Sequence, residues 1–226
     1  MQSLKWFGHS TFLITSDQGL RILTDPFGKD VPYPGIDVTV DVVTVSHQHF
    51  DHNAADLAKG NPVVLEGVAR KGSDFVKVDR TIKDTHFRTV KTFHDPERGT
   101  KRGLNAVFVM ADASTTVCHL GDLGHVVDEE TAREIGPVDI LLIPVGGYYT
   151  IGASEGWEVV DRLKPRVVIP MHYKTPAVAT WPIASVEEFL KGKDRVRRVG
   201  SSELCLGEGN LPESTEVFVL EPPARS

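Results

Sequence analysis

Residues 41–52 of this chain read DVVTVSHQHFDH, a short apolar run followed directly by three histidines and an aspartate. The apolar half is typical of a strand that is buried on both faces. In an extended segment alternate side chains share a face, so His47 and His49 can converge on one cation. Asp51 and His52 then turn toward a neighbouring cation. The alternative interpretation is a histidine-rich turn that binds nothing.

The composition is that of a globular protein. The chain has 226 residues, of which 40% are hydrophobic and 25% charged, so residues 1–226 are expected to form a single domain with a sizeable core. A formal net charge of −6 provides no basic surface for phosphates, which disfavours nucleic acid as a partner. The expected partner is a small-molecule substrate.

The two cysteines and the amino terminus indicate the cellular compartment of the protein. Cys118 and Cys205 have neither disulfide-framework nor metal-ligand spacing, and both are interpreted as small core side chains in a reducing compartment. Residues 1–6 lack the apolar stretch of a signal peptide, and no segment is long enough to span a bilayer. These features predict a soluble cytoplasmic protein without membrane contact. The oligomeric state stays open, a homo-oligomer included.

Hydrophobic patterns predict strands in the first two-thirds of the chain and helices between strands later. The strands are expected at 4–7, 11–16, 21–24, 41–46, 85–93, 105–110, 114–120, 140–143 and 166–169. The helices are expected at 53–59, 128–135, 154–164 and 185–191, the last opened by a capping box of Ser185 and Glu188. No linker divides the chain, so helices should layer on sheets within one domain.

Four predicted strands end at a potential metal ligand. They lead into His47, His94, Asp122 and His172. Because ligands gather outside the carboxyl ends of strands in open α/β folds, these ends can surround one site. With the rest of the motif they supply five imidazoles and two carboxylates, enough for two divalent cations that share Asp122 and a water-derived bridge. The all-nitrogen and oxygen set suits Zn²⁺ and also admits Mn²⁺ or iron.

The chain resembles the metallo-β-lactamase fold superfamily. The HxHxDH motif at 47–52 matches its signature, and His94, Asp122 and His172 follow in the order of its remaining ligands. Within the superfamily, the chain most resembles small Zn-dependent hydrolases that include ascorbate-6-phosphate lactonase-like proteins. The motifs that carry this resemblance are GHST at 8–11, TDPF at 24–27, GDLGH at 121–125, IPVGG at 143–147 and PMHY at 170–173.

This resemblance implies an α/β (α+β) fold, an αββα sandwich of two mixed β-sheets flanked by helices, with a dinuclear site along one edge. It implies one metal held by His47, His49 and His94, a second held by Asp51, His52 and His172, and Asp122 bridging the two. Asp25 would brace the ligand loop without touching metal. The alternative for Asp25 is a turn-forming aspartate before Pro26.

Departures within the superfamily narrow the expected function. Zinc β-lactamases carry a cysteine where this chain has Asp122, and flavodiiron proteins carry a glutamate where it has His49, so antibiotic hydrolysis and redox chemistry are both disfavoured. The chain also has no obvious counterpart of the substrate-gripping arm of transfer-RNA processing relatives. A metal-dependent hydrolase of a small anionic or neutral molecule is the leading hypothesis. A nuclease of the same superfamily and a non-catalytic metal-binding module are the alternatives.

The expected mechanism uses a hydroxide held between the two cations to attack an ester, lactone, amide or phosphodiester. Asp122 and Asp51 act first as ligands, and Asp51 has at most a secondary role in proton transfer. His125 is the first candidate for the leaving-group acid, followed by Tyr148, Tyr149 and Lys174. The alternative for His125 is a loop histidine that orients Asp122.

Substrate contacts are assigned from position alone. Arg102 follows His94 in a loop and Lys174 follows His172, so both cations can face an anionic substrate, or else lie on a solvated surface. Tyr148 and Tyr149 follow a glycine pair at a strand end and are expected to line a pocket wall.

Three other histidines are expected to lie outside the metal ligand set. His86 precedes His94 by eight residues, about 26 Å along an unbroken strand, and cannot share the metals. His119 is predicted to be a core histidine. His9 is predicted to have a buried structural role near the loops that support the site.

Overall fold

The computed structural model describes residues 1–72, 74–205 and 211–223. In chain order, the strands are β1 (Ser3–Gly8), β2 (Thr11–Thr15), β3 (Arg21–Thr24), β4 (Val42–Val45), β5 (Val63–Glu66), β6 (Asp79–Ile82), β7 (Thr85–Phe93), β8 (Leu104–Ala111), β9 (Thr116–His119), β10 (Ile140–Pro144), β11 (Val167–Met171), β12 (Val196–Arg198), β13 (Glu203–Cys205) and β14 (Glu216–Val219). The α-helices are α1 (Glu129–Ile135), α2 (Ala153–Leu163) and α3 (Val186–Leu190).

The strands form two mixed sheets. A six-stranded sheet has the order β13-β1-β2-β3-β4-β5, with parallel pairing at β3/β4 and β4/β5. An eight-stranded sheet has the order β12-β14-β11-β10-β9-β8-β7-β6, which is parallel from β12 to β9 and antiparallel from β9 to β6. The predicted pair of mixed sheets is confirmed.

One hydrophobic core joins the two sheets. Trp6 and Phe12 from the first sheet and Phe87 and Phe108 from the second belong to the same cluster and are almost completely buried. Such side chains contribute roughly 1.5–3 kcal/mol each on burial, so the interface between the sheets is a main source of stability. A smaller cluster of β2, β3 and β4 side chains packs with residues from the segment that precedes β4.

Three expected details of local structure are wrong. The segment predicted as a helix at 53–59 contains only the 3₁₀ turn Ala55–Leu57, none of whose residues is buried. Ala55 and Ala58 are only partly buried against a neighbouring apolar cluster, so little packing supports a longer helix. Ser185 lies at the start of α3, but its side chain makes no capping hydrogen bond, so the predicted box does not form. Cys205 is exposed on the edge strand β13, whereas Cys118 is buried as expected.

The remaining helices lie within one or two residues of their predicted bounds. Asp128 opens α1 by accepting a hydrogen bond from the Thr131 N–H (2.8 Å), a typical N-cap. No helix among the described ranges is long and apolar enough to cross a membrane. The carboxyl ends of β4, β7, β9 and β11 lead into His47, His94, Asp122 and His172, which fixes where the site lies.

Candidate metal centre

Three groups of donor side chains lie at these strand ends, and one of them, Asp25 with His47 and His52, overlaps the other two. The three-histidine cluster comprises His47, His49 and His94, and the mixed cluster comprises His9, Asp51, His52 and His172. Within each cluster, one donor atom per residue lies within 4.8 Å of every other. The structure therefore brings together all the histidines of the predicted ligand set, and it adds His9.

Asp122 lies between the two clusters. Its Oδ2 atom is 3.1 Å from Nε2 of His94 in the three-histidine cluster and 3.3 Å from Nε2 of His172 in the mixed cluster. Its Oδ1 atom is 3.3 Å from Nε2 of His52. One carboxylate thus faces both groups, as a bridging ligand must.

A buried hydrogen-bond relay fixes two of the imidazoles. The Asp25 carboxylate accepts a hydrogen bond from His52 Nδ1–H (3.0 Å) and another from the Ser46 N–H (2.7 Å). The Ser46 hydroxyl donates to Asp25 and lies 2.9 Å from Nδ1 of His47. Both rings therefore direct Nε2 toward Asp122, the arrangement by which outer carboxylates orient metal-binding histidines. These hydrogen bonds agree with the predicted bracing role of Asp25, while Ser46 was not predicted.

The protonation states largely match those that metal binding requires. Burial lowers the pKa of His47 and His49, and lowers that of His9 to about 4. Burial also raises the pKa of Asp122, but the imidazoles of His172 and His52 outweigh it and hold the pKa well below the usual range. Neutral imidazoles and ionised carboxylates are the forms that bind divalent cations.

His52 is the exception among these groups. Burial lowers its pKa, but the adjacent Asp122 and Asp51 carboxylates outweigh that effect and raise the pKa well above its usual value. Burial and the nearby Asp122 raise the pKa of Asp51, but the His52 imidazole and the hydrogen bond with His9 outweigh them and lower it. The charges of the mixed cluster are therefore strongly coupled.

Buried atoms without hydrogen-bond partners test whether the residues fit a metal. Nε2 of His47 and Oδ1 of Asp122 are buried and have no hydrogen-bond partner among the described residues. Leaving such atoms unpaired costs about 1–3 kcal/mol each, so a ligand is expected to occupy the space they face. Cations coordinated by these atoms would satisfy both.

A cavity of about 670 Å³ opens over the donors. Its wall is formed by Asp30, His49, Phe50, Asp51, His94, Lys101, Arg102, Asp122, Tyr149, His172 and Trp181. A side pocket of about 200 Å³ shares His49 and Arg102 with it. The volume suits a small molecule rather than a polymer duplex.

The loop that follows His94 is organised by a single carboxylate. Asp95 is buried and accepts hydrogen bonds from the backbone N–H groups of Glu97, Gly99, Lys101 and Arg102, at 2.7–3.0 Å. The Arg102 guanidinium donates to the Tyr148 carbonyl oxygen (2.9 Å) and lies 5.8 Å from the centre of the Tyr149 ring. Arg102 is consequently held at the cavity wall.

Three predicted catalytic or substrate-binding residues are not brought to the cavity. His125 accepts the Phe93 N–H at Nε2 (3.2 Å) and donates through Nδ1 to the Val126 carbonyl (3.0 Å), so it neither faces a leaving group nor orients Asp122. Lys174 is exposed and lines a separate pocket, because its backbone pairs with the segment before α3. Tyr148 is 63% exposed; its carbonyl oxygen accepts the hydrogen bond from Arg102, and its ring packs edge-on against that of Tyr149.

Of the three histidines expected outside the ligand set, His86 and His119 lie away from the donor clusters, whereas His9 lies within one. His86 is hydrogen-bonded to Asp79 (2.8 Å) at the far end of the unbroken β7, as predicted. His119 is buried, donates to the Ser10 carbonyl (2.8 Å) and accepts the Gly121 N–H (3.1 Å), as expected of a core histidine. His9 is buried as predicted, but its imidazole reaches Asp51 and His52.

Two glycines let the ligand loops approach one another closely. A Cβ at Gly124 would lie 2.2 Å from the backbone carbon of His94, and one at Gly146 would lie 2.1 Å from the carbonyl oxygen of His172. The Gly124 N–H donates to the Phe93 carbonyl (2.9 Å) across the same contact. The loops that hold Asp122, His94 and His172 are thus packed backbone against backbone.

Comparison with known proteins agrees with this geometry. The beta-lactamase superfamily domain matches residues 3–172. A "UPF0173 metal-dependent hydrolase" of Pyrobaculum neutrophilum is 33% identical over 227 residues, covering 90% of this chain and 95% of that relative. The chain belongs to the metallo-β-lactamase superfamily. Within that superfamily, its relatives are metal-dependent hydrolases, and this hydrolase is an enzyme of the same kind.

Solved structures extend the comparison. A crystal structure from Thermotoga maritima, described as a candidate Zn-dependent hydrolase of the metallo-beta-lactamase superfamily, is 40% identical, with a TM-score of 0.80 over 99% of this hydrolase and 100% of that chain. Igni18, a metallo hydrolase of Ignicoccus hospitalis, is 20% identical, with a TM-score of 0.60 over 78% of this hydrolase and 85% of that chain. The second likeness concerns the fold alone.

Proposed function

We propose that this protein is a dinuclear metal-dependent hydrolase that cleaves an ester, lactone, amide or phosphodiester bond in a small, anionic molecule. The observation that carries the proposal is the position of Asp122, within 3.3 Å of imidazole nitrogens from both clusters at the base of an open cavity. Two sets of donors sharing one carboxylate are typical of a two-metal hydrolytic site.

The proposed cofactors are two divalent cations. His47, His49 and His94 would hold one, Asp51, His52 and His172 the other, with Asp122 shared between them. Zn²⁺ is our first assignment because imidazoles and carboxylates are its usual ligands besides thiolates, and Mn²⁺ or iron is the alternative. Such cations supply a water of lowered pKa at neutral pH and stabilise negative charge that develops on a substrate oxygen.

The protein's own groups position the reactants. The relay through Asp25 and Ser46 keeps Nε2 of His47 and His52 directed at Asp122, so the donor set needs little reorganisation. Arg102, fixed by Asp95 and Tyr148, places a permanent positive charge at the cavity wall, where a substrate carboxylate or phosphate can pair with it.

The leaving-group proton is assigned to Tyr149. Of the four residues considered for this role, Tyr149 is the one that lines the cavity, and it is 36% exposed there. The Arg102 guanidinium next to its ring holds the side chain at the wall. Its hydroxyl can therefore donate to a departing oxygen or nitrogen in the cavity.

Metal removal and reloading test the proposal. The protein is stripped with chelator, reloaded with Zn²⁺, Mn²⁺ or Fe²⁺, and screened against lactone, phosphodiester, thioester and amide panels, with single-stranded RNA and DNA as further substrates. We expect two metals per chain and an activity on small substrates that disappears on stripping and returns on reloading. Activity insensitive to metal removal, or fewer than two metals bound, contradicts the proposal. Cleavage of the nucleic acids instead would identify a nuclease.

We further propose a cytoplasmic location. Cys118 and Cys205 are both free thiols, which agrees with a reducing compartment.

A further inference from the structure

His9 lies in the short connection between β1 and β2, where the strand register shifts. Its backbone has φ of 51°, a left-handed conformation that is uncommon outside glycine. The His9 carbonyl oxygen accepts hydrogen bonds from Trp6 Nε1–H (3.0 Å) and from the His172 N–H (3.3 Å), which hold the connection against the ligand loop. A strained backbone fixed in this way at a donor cluster points to a functional constraint.

The His9 imidazole is spaced from its neighbours as ligands of one cation are. Its Nε2 atom is 3.1 Å from Oδ2 of Asp51 and 3.2 Å from Nε2 of His52. Ligands bonded at about 2.1 Å to one cation, in tetrahedral or octahedral geometry, are separated by about 3.0–3.4 Å. The contacts of Asp122 with His52, His94 and His172, at 3.1–3.3 Å, fall in the same range.

With both imidazoles neutral, as metal binding requires, one hydrogen bond from His9 cannot account for both contacts. In that form His52 donates its Nδ1 proton to Asp25 and presents a lone pair at Nε2, and Asp51 presents carboxylate lone pairs. A proton on Nε2 of His9 can satisfy only one of these two acceptors well. A cation in the space between the three atoms would be coordinated by all of them.

We propose that Nε2 of His9 is a direct ligand of the cation held by Asp51, His52 and His172, an inference that rests on the dinuclear site proposed above. With Asp122 this cation has five protein ligands, whereas the cation of the three-histidine cluster has four. The two metals therefore differ in coordination number. The higher number favours a five- or six-coordinate ion on the mixed cluster over the tetrahedral geometry of structural zinc sites.

Nitrogen-15 NMR of histidine side chains in the Zn²⁺-loaded protein tests the assignment directly. The His9 signals are identified by their absence from His9→Asn, a variant chosen because asparagine tolerates left-handed backbone. His86→Asn removes a histidine outside both clusters and serves as the matched control. We expect Nε2 of His9 to carry no proton in the loaded protein and to shift to the position of a metal-bound nitrogen.

The same variants are titrated with Zn²⁺ against a chromophoric chelator. We expect His9→Asn to bind the first Zn²⁺ as the wild type does and to bind the second about 100-fold more weakly, while His86→Asn matches the wild type at both sites. Circular dichroism of the metal-free proteins checks that each variant folds, and if His9→Asn does not, sequence-specific assignment of the wild-type histidine signals identifies those of His9 instead.

The outcomes separate the two proposals. If the wild type binds two Zn²⁺ but Nε2 of His9 stays protonated, His9 is a hydrogen-bond donor to Asp51 and only the present inference fails. Unchanged affinity for the second Zn²⁺ in folded His9→Asn has the same meaning. If the wild type binds fewer than two Zn²⁺, the dinuclear function fails and the inference fails with it.

Discussion

The two donor clusters share Asp122 but are held in different ways. In the mixed cluster, His52 is fixed by Asp25, Asp51 lies against His9, and the backbone of His172 is hydrogen-bonded to that of His9. Each cluster has one histidine, His94 or His172, whose Nδ1 has no hydrogen-bond partner in the described parts of the chain, but in the three-histidine cluster His49 is also exposed between two cavities. We infer that the mixed cluster is the more preorganised of the two and that substrate enters over the three-histidine cluster.

Removing the shared carboxylate should have the largest effect, because it weakens metal binding at both clusters at once. In Asp122→Asn we expect kcat/KM to fall about 1,000-fold or more, equivalent to about 4 kcal/mol of transition-state stabilisation, with fewer than two metals retained. Steady-state kinetics on the substrate identified by the screen, together with metal analysis, measures both. Asp161→Asn, an exposed aspartate on α2, should behave as the wild type. Two tightly bound metals in Asp122→Asn would show that Asp122 does not bridge.

A pair of variants in the relay should separate the clusters. Asp25→Asn replaces the carboxylate that accepts the hydrogen bond of His52 and so orients its ring. We therefore expect the Zn²⁺ affinity of the mixed cluster to fall about 10–100-fold. Ser46→Ala removes the link to His47 and one hydrogen bond to Asp25, which the Ser46 N–H still holds, so it should reduce mainly the affinity of the three-histidine cluster and by a smaller factor. Competition with a chelator measures both constants in each variant. Equal losses at both clusters in both variants would mean that the relay acts as one structural unit.

Substrate charge can be tested at the cavity wall with another matched pair. Arg102→Ala should raise KM for anionic substrates about tenfold, about 1.4 kcal/mol, with a smaller change for neutral analogues, because the lost contact is a charge pair. Lys174→Ala removes an exposed cation next to His172 in sequence that faces another pocket, and it should leave KM unchanged. A larger increase in KM for Lys174→Ala than for Arg102→Ala would place the anionic group of the substrate on the other side of the metals.

The smallest expected effect concerns the loop behind His94. Four backbone N–H groups outweigh burial and lower the pKa of Asp95 in the folded protein, so its ionised form stabilises the fold above the unfolded pKa of about 3.9. This stabilisation is lost as the pH falls through the folded pKa. We expect Asp95→Asn to lower the free energy of unfolding by about 1 kcal/mol at pH 7.

Thermal melts at pH 7, 5 and 3 check the Asp95 prediction. The difference between Asp95→Asn and the wild type should be largest at pH 7 and shrink at pH 3. Asp194→Asn, at an exposed aspartate, is the control for removal of one negative charge. A difference that is constant from pH 7 to pH 3 would show that the Asp95 side chain contributes through its shape and not through its charge.

Much of the site could be predicted from the sequence because its donors follow strands. Strand ends are readable from apolar runs, and the carboxyl ends of β4, β7, β9 and β11 meet at one edge, so His47, His94, Asp122 and His172 were placed without knowledge of the loops. The short strands β5, β6, β12, β13 and β14 were not predicted. Several of them carry exposed or charged side chains that give no clear alternation.

Loop conformation explains what the sequence could not show. His9 reaches the donors through a register shift and a left-handed residue, and neither has a hydrophobic pattern. His125 follows Asp122 by three residues, yet hydrogen bonds to Phe93 and Val126 take its ring away from the cavity. The only sequence signal for the role of Ser46 was its position next to His47, which many serines share by chance.

The close packing at Gly124 and Gly146 has a consequence for how this enzyme can vary. Neither residue carries a functional group, yet any side chain at either position would push a ligand loop outward by more than an ångström. The spacing of the metal donors therefore depends partly on the lack of a side chain at these two positions. A substitution scan that ranks positions by chemical reactivity would pass over both glycines, whereas a scan of tolerance to added volume would mark them alongside the histidines.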